Sequence, residues 1–142
     1  MHKIEETEYG FKITVAGDLD INQAEQALLN LKNLLASYGR PFSLMVDLRE
    51  LIPVTTEVIK KLMEIHSYCK NLSLERTAII VKSPVLKMQG KQISHNSETI
   101  ENDRYISVYK FDNWEERALA WVKNGIEPFV KTDDTVQIPI IK

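Results

Sequence analysis

A chain of 142 residues with 44% apolar and 27% charged side chains has the composition of one soluble globular domain, and it can bury roughly two-thirds of its unfolded surface without a disulfide or a metal. Eighteen basic residues against twenty acidic ones give a net charge of −2, which offers no electrostatic reason to expect nucleic acid or an anionic membrane as partner. The single cysteine, Cys69, excludes an intrachain disulfide and fits a reducing compartment. With no signal-like or bilayer-length apolar run, this reads as a cytoplasmic protein without a membrane span.

His2 to Glu8 reads as a polar strand, Tyr9-Gly10 as a turn, and Phe11 to Ala16 as a strand of alternating polarity, together an antiparallel hairpin. Asp20 with Gln23 forms a capping-box pattern that opens a helix. Ala24, Ala27, Leu28, Leu31, Leu34, Leu35 and Tyr38 continue it at helical spacing, with Gly39 as the expected C-terminal cap and Pro41 blocking continuation. An Ala-Leu stripe of this kind is core-packing surface.

Leu44 to Leu48 is a nearly continuous apolar run, the pattern of a strand covered on both faces. Asp47, near its carboxyl end, is the polar exception, read first as a carboxylate binding loop N–H groups. Leu51-Ile52-Pro53 forms a loop, and a second helix opens at Thr55 or Thr56. In open α/β sheets this junction is where ligands and partners dock. Val58, Leu62, Ile65, Cys69 and Leu72 make the helix's apolar stripe, and Glu57 is placed to pair with Lys60 and Lys61. His66 and Cys69 are helix neighbours, but further metal ligands at suitable spacing are lacking. Cys69 reads as a buried structural thiol.

Arg76 to Lys82 is the next covered strand, followed by Ser83-Pro84 as cap and first helical position. Lys82, Lys87 and Lys91 are offset by Glu98, Glu101 and Asp103, so they read as a solvated face. Asn96 to Arg104 is the most loop-like stretch. Tyr105 to Phe111 alternates as the last sheet strand, and Asp112 to Glu115 forms another capping-box pattern. Trp114, Ala118, Trp121 and Val122 are the apolar face of the final helix, a lid over the sheet edge, which Gly125 and Pro128 end. Val136 to Ile141, interrupted by Pro139, reads as an edge strand or extended arm. Its apolar residues need cover, and a second copy of the chain is one candidate for it.

The phosphate-loop, dinucleotide and nucleophile-elbow patterns are absent, as is C-x-x-C. His2, His66 and His95 do not adjoin a serine–acid pattern that would suggest a triad. The expectation is no enzyme, no cofactor and no metal.

The order hairpin, helix, strand, helix, strand, helix, strand, helix implies parallel neighbours joined by right-handed crossovers. It is a single-domain α/β arrangement, with a mixed, mostly parallel five-stranded sheet and about four helices, over residues 1–128, with a tail over 129–142. Over residues 2 to about 125 the chain resembles the SpoIIAA-like family, single-domain relatives of the STAS (anti-sigma-factor antagonist) domain. Met45-Val46-Asp47-Leu48-Arg49 is similar to that family's apolar-Asp-Leu strand. Phe111 to Val122 resembles its aromatic, alanine and tryptophan close.

The resemblance implies a non-enzymatic regulatory module that binds a protein near residues 53–58. In STAS proteins the helix after the strand opens with Asp-Ser-Ser-Gly, whose second serine is phosphorylated. Counting from Asp47 without a gap places Glu57 there, and a one-residue gap places Thr56 there. Asp47, Thr55, Thr56 and Glu57 are thus the candidate partner-binding or regulatory residues. SpoIIAA-like proteins have also been likened to CRAL-TRIO lipid-transfer domains, which implies a small lipid-like apolar ligand as the rival reading.

Overall fold

The computed structural model describes residues 1–132 and 136–139, with side chains through residue 129. Strands β1 (His2–Thr7) and β2 (Gly10–Val15) pair antiparallel, with Ile4 opposite Ile13. Strands β3 (Phe42–Asp47), β4 (Leu74–Val81) and β5 (Asp103–Ser107) follow in parallel, so the sheet order β1-β2-β3-β4-β5 is the chain order. Helices α1 (Ile21–Leu35), α2 (Thr56–Lys70), α3 (Pro84–Asn96) and α4 (Trp114–Asn124) complete the α/β domain. Strands β6 (Phe129–Thr132) and β7 (Val136–Pro139) form a separate antiparallel pair. Ile140 and Ile141 of the expected arm lie outside the described residues.

The sheet steps always in one direction, and right-handed crossovers then put α1, α2 and α3 on one face. Ile4, Ile13, Val46, Ile79 and Tyr105 point to that face and meet Ala24 and Leu31 of α1, Leu62 and Ile65 of α2 and Ile93 of α3. The alternate residues Met45, Ala78, Ile80 and Ile106 point to the other face, where Ala118, Trp121 and Val122 of α4 cover them. Helix α4 therefore lies across β3, β4 and β5, not over the sheet edge as its two tryptophans suggested. Three helices already fill the opposite face, and the chain returns to the one left bare. On β2 the same face carries Lys12 and Thr14, which is why two strands of the sheet need no helix there.

Local signals set most helix ends. Asp20 Oδ1 accepts from Gln23 N at 2.8 Å, while Asp20 N donates to Gln23 Oε1 at 3.1 Å, completing the capping box. Ser83 Oγ accepts from Leu86 N at 3.3 Å, with Pro84 in the first turn. Gly125 closes α4 at φ 67°, a left-handed conformation that suits glycine.

Four local expectations are corrected. Helix α1 stops at Leu35 with Ala36 as cap, rather than running on to Gly39; the turn that follows carries Tyr38 between Phe11 and Phe42, with ring centroids 5.1 and 6.0 Å away. The second capping box does not form. Asn113 is the N-cap, without a side-chain cap bond, and its Oδ1 accepts from Arg117 Nε at 2.8 Å. That guanidinium is buried and also donates to the Pro128 carbonyl at 2.7 Å, so the need to satisfy it outweighs the cap. Lys61 pairs with Glu64 at 2.9 Å instead of with Glu57. Strand β5 begins at Asp103 and ends at Ser107, because Val81, its partner there, is the last residue of β4.

Candidate functional site

The carboxyl end of β3 leads into a loop whose backbone is held from three sides. Leu48 N donates to Ile80 O at 2.9 Å on β4. Gly17, in the connection from β2 to α1, donates to Glu50 O at 2.9 Å and accepts from Ile52 N at 3.0 Å. From α3, Gln89 Oε1 accepts from Val54 N at 3.1 Å and Gln89 Nε2 donates to Val54 O at 2.9 Å. A mobile loop would leave these backbone groups to water; here they are satisfied by protein, and the entry to α2 is fixed.

Asp47 is buried and turned inward to this loop. Its Oδ1 accepts from Arg49 N at 3.1 Å and Arg49 Nε at 3.0 Å, and its Oδ2 from Arg49 Nη2 at 2.9 Å. Burial pushes the carboxyl up, but the hydrogen bonds and charge of Arg49 outweigh it and hold the group below its ordinary value. Asp47 in turn holds the Arg49 guanidinium above its own. The guanidinium lies 4.5 Å from the Trp114 ring centroid, so one pair joins the loop to α4.

The two threonines have different positions. Thr55 is the N-cap of α2, its Oγ1 accepting from Val58 N at 3.3 Å. Thr56 and Glu57 follow on the first turn with exposed side chains. There the free N–H groups and the helix dipole favour negative charge. In the loop before them Ile52 is 54% exposed, and on α3 Val85 and Met88 are 51% and 72% exposed. Val85 is one helical turn before Gln89, the residue that grips Val54. The sequence reading placed Asp47, Thr55, Thr56 and Glu57 at this junction; it missed Arg49, Gln89, Val85 and Met88. An X-Pro-Val loop followed 35 residues later by a glutamine gives no local signal of that grip.

A second feature lies under the helices. A cavity of about 140 Å³ separates the sheet from α1, α2 and α3. Its walls are aliphatic except where His66, Cys69 and Tyr105 enter. Behind them is a buried polar cluster, two of whose members, Thr99 and Asp103, belong to the stretch that reads as most loop-like. Asp103 Oδ2 accepts from Ser94 Oγ at 2.5 Å and Thr99 Oγ1 at 2.7 Å. Tyr105 OH donates to Gly90 O at 2.5 Å and lies 2.5 Å from Ser94 Oγ. His66 Nε2 is 3.5 Å from Asp103 Oδ2 and makes no hydrogen bond.

Serine, histidine and aspartate are thus close, but the serine donates to the carboxylate and not to the imidazole, so no base is placed on its hydroxyl. Cys69 is buried, and burial pushes its thiol up to about 12, which leaves it protonated and unreactive at neutral pH. Among the described residues no group of His, Cys, Asp and Glu could hold a metal ion, and no helix is long and apolar enough to cross a membrane.

The chain superposes on an uncharacterized protein of the DUF3478 family with a SpoIIAA-like fold from Shewanella loihica, with a TM-score of 0.61 and 18% identity over 86% of this chain and 92% of that one. The fold is SpoIIAA-like. An anti-sigma factor antagonist from Mycobacterium paratuberculosis is a second structural match, with a TM-score of 0.54 and 13% identity over 83% of this chain and 92% of that one. No protein-family model and no curated protein matches the sequence. The five-stranded mixed sheet with four helices expected for a SpoIIAA-like chain is the one observed.

Proposed function

We propose that this chain is a non-enzymatic regulatory module that binds a protein partner through the face formed by Ile52, Thr56 and Glu57 with Val85 and Met88 of α3. The observation that carries this reading is the pairing of exposed apolar side chains with a rigidly held, acid-bearing helix start at the carboxyl end of a central parallel strand. Asp47 serves the face from beneath by fixing Arg49 and the loop. Of the two threonines, Thr56 is the candidate phosphoacceptor, since the Thr55 hydroxyl is engaged as the cap. The likeness in fold to an anti-sigma factor antagonist supports a partner of this kind. A carrier of a lipid-like chain finds less support, because the cavity of about 140 Å³ falls below the roughly 300–1,000 Å³ of ordinary ligand pockets.

A photo-crosslinking side chain placed in turn at Glu57, at Met88 and at Glu25 on α1 tests the face in cells. We expect one discrete crosslinked species from positions 57 and 88 and none from 25. It should disappear with Ile52→Asp while the circular dichroism spectrum stays unchanged. Crosslinks of equal yield at position 25, or a species indifferent to Ile52→Asp, would place the partner elsewhere.

A further inference from the structure

The two outer strands of the sheet differ. Along β5 every residue but Arg104 is buried, and the Arg104 guanidinium donates to the Asp103 carbonyl at 3.0 Å, so that edge is closed. Strand β1 is open: Lys3, Glu5 and Glu6 are exposed, and His2, Ile4 and Thr7 are half-buried. Its backbone phase is set at its start, where Met1 N donates to Ala16 O at 3.0 Å and Ala16 N to Met1 O at 2.9 Å. Bonded and non-bonded pairs alternate along an antiparallel ladder. In this register Lys3, Glu5 and Thr7 therefore bond β2, and the N–H and C=O groups of His2, Ile4 and Glu6 point outward. Among the described residues none hydrogen-bonds these outward groups. A row of this kind is a template for another strand.

We propose that the chain forms a two-fold dimer in which β1 pairs antiparallel with β1 of a second copy, centred on Ile4, so that two sheets become one. The order His2-Lys3-Ile4-Glu5-Glu6 selects both the occupant and the register. With Ile4 opposite Ile4 of the second copy, His2 lies opposite Glu6, and each of these pairs exchanges two backbone bonds. Lys3 then lies opposite Glu5, in the closer non-bonded position where side chains interact most. The neighbouring registers that keep the outward groups in phase put Lys3 opposite Lys3 or Glu5 opposite Glu5, and like charges directly opposite are destabilising. Charged side chains ordinarily keep an edge strand single; here their order opposes the neighbouring registers and complements this one. Lys3 and Glu5 of one chain already lie 3.6 Å apart, so the dimer closes an alternating cluster of four charges. On the other sheet face, Ile4 and the 44% exposed Leu34 of α1 line a groove along the strand, and the two-fold sets the second copy's groove beside it. A contact of this symmetry is closed at two copies. No residue of the proposed docking face takes part, so the inference does not rest on that reading.

Sedimentation equilibrium of the intact chain tests this. One short strand and a helix flank make a contact smaller than the roughly 1,600 Å² of a standard interface, so the dimer is weak and the range runs from about 1 μM to about 1 mM. We expect a reversible monomer–dimer equilibrium. Lys3→Glu or Glu5→Lys alone sets like charges opposite each other and should weaken association at least about tenfold. An equimolar mixture of the two variants should recover it, because every opposed pair then has opposite signs. Glu6→Pro, which removes an outward N–H and no bond to β2, should also weaken the dimer while the circular dichroism spectrum stays unchanged. A wild-type chain that is still monomeric at about 1 mM would overturn the proposal. So would a dimer indifferent to both charge reversals, or a mixture no more associated than its two components.

Discussion

Arg49 shows how one side chain can hold two layers at once. It satisfies the buried Asp47 carboxylate and lies on the Trp114 ring. Replacing it with Met keeps the stem but leaves Asp47 with none of the guanidinium bonds. We expect a loss of about 1–3 kcal/mol, toward the lower end because the Arg49 side chain is 39% exposed. The pH dependence follows from the depressed Asp47 carboxyl. Its contribution to stability is full above the unfolded value of about 3.9 and is lost as pH falls through the lower folded value. Urea midpoints followed from neutral pH into that acid range should fall in the wild-type chain, and Arg49→Met should flatten that part of the fall. Gly90 leaves room for the Tyr105 ring. A Cβ there would come 2.5 Å from Tyr105 Cε2, so Gly90→Ala should cost about 1–3 kcal/mol by overpacking. A cost within ±0.5 kcal/mol in denaturant melts would show that Tyr105 can move aside. These residues also mark where sequence reading ends. Asp47 and Arg49 are near in the chain, and the role of the acid in binding loop N–H groups can be read from its place at a strand end. Ser94, Thr99, Asp103 and His66 come from α2, α3, the following loop and β5, and a run of Ser, Thr and Asp resembles a solvated loop until the fold buries it.

At the scale of elements, the two tryptophans of α4 separate. Trp121 is 6% exposed, its Nε1 donates to Thr77 O at 3.1 Å, and Arg104 stacks on it at 4.1 Å. Trp121→Ala should therefore cost about 3–5 kcal/mol. Trp114 is only half-buried and carries the Arg49 stack; Trp114→Ala should cost markedly less. Equal midpoint shifts for the two variants would contradict this division. Helix α2 supports a different prediction. Glu57→Gln removes the charge from the first turn, where the dipole stabilises it by about 0.3–1 kcal/mol. Stability should fall by that amount, while capture at the proposed docking face should fall by more than the same free energy converts to. The elements themselves were legible because their signals are local: the Asp20–Gln23 box, Ser83-Pro84, and the alternation of β2. The ends that differed lie at Ala36 and Asn113, where Tyr38 packs on Phe11 and Phe42 of two strands and Arg117 reaches the distant Pro128 carbonyl.

For the whole molecule, the order of the sheet decides what remains uncovered. Three consecutive crossovers fill one face, and α4 is the helix that covers Met45, Ala78, Ile80 and Ile106 on the other. A chain ending at Asn113 would leave that stripe in water, and we expect it to be insoluble or to bind a hydrophobic dye strongly. A monomeric, cooperatively melting product of that truncation would show that α4 is an accessory. The nearly continuous apolar run of β3 announces two covered faces, but only the hand of the crossovers says which helix is alone.

The same arrangement has a consequence for synthesis. Strands and helices leave the ribosome in the order in which they pair, so β1 to β5 and the first three helices can assemble as they emerge. The second face of the sheet lacks its helix until α4 is complete, 17 residues after the end of β5. At roughly 5–20 residues per second that interval lasts about 1–3 s. For that time the nascent protein presents an ordered apolar stripe to its surroundings, and a chaperone that recognises such stripes would find its substrate in this chain before the last helix and not after.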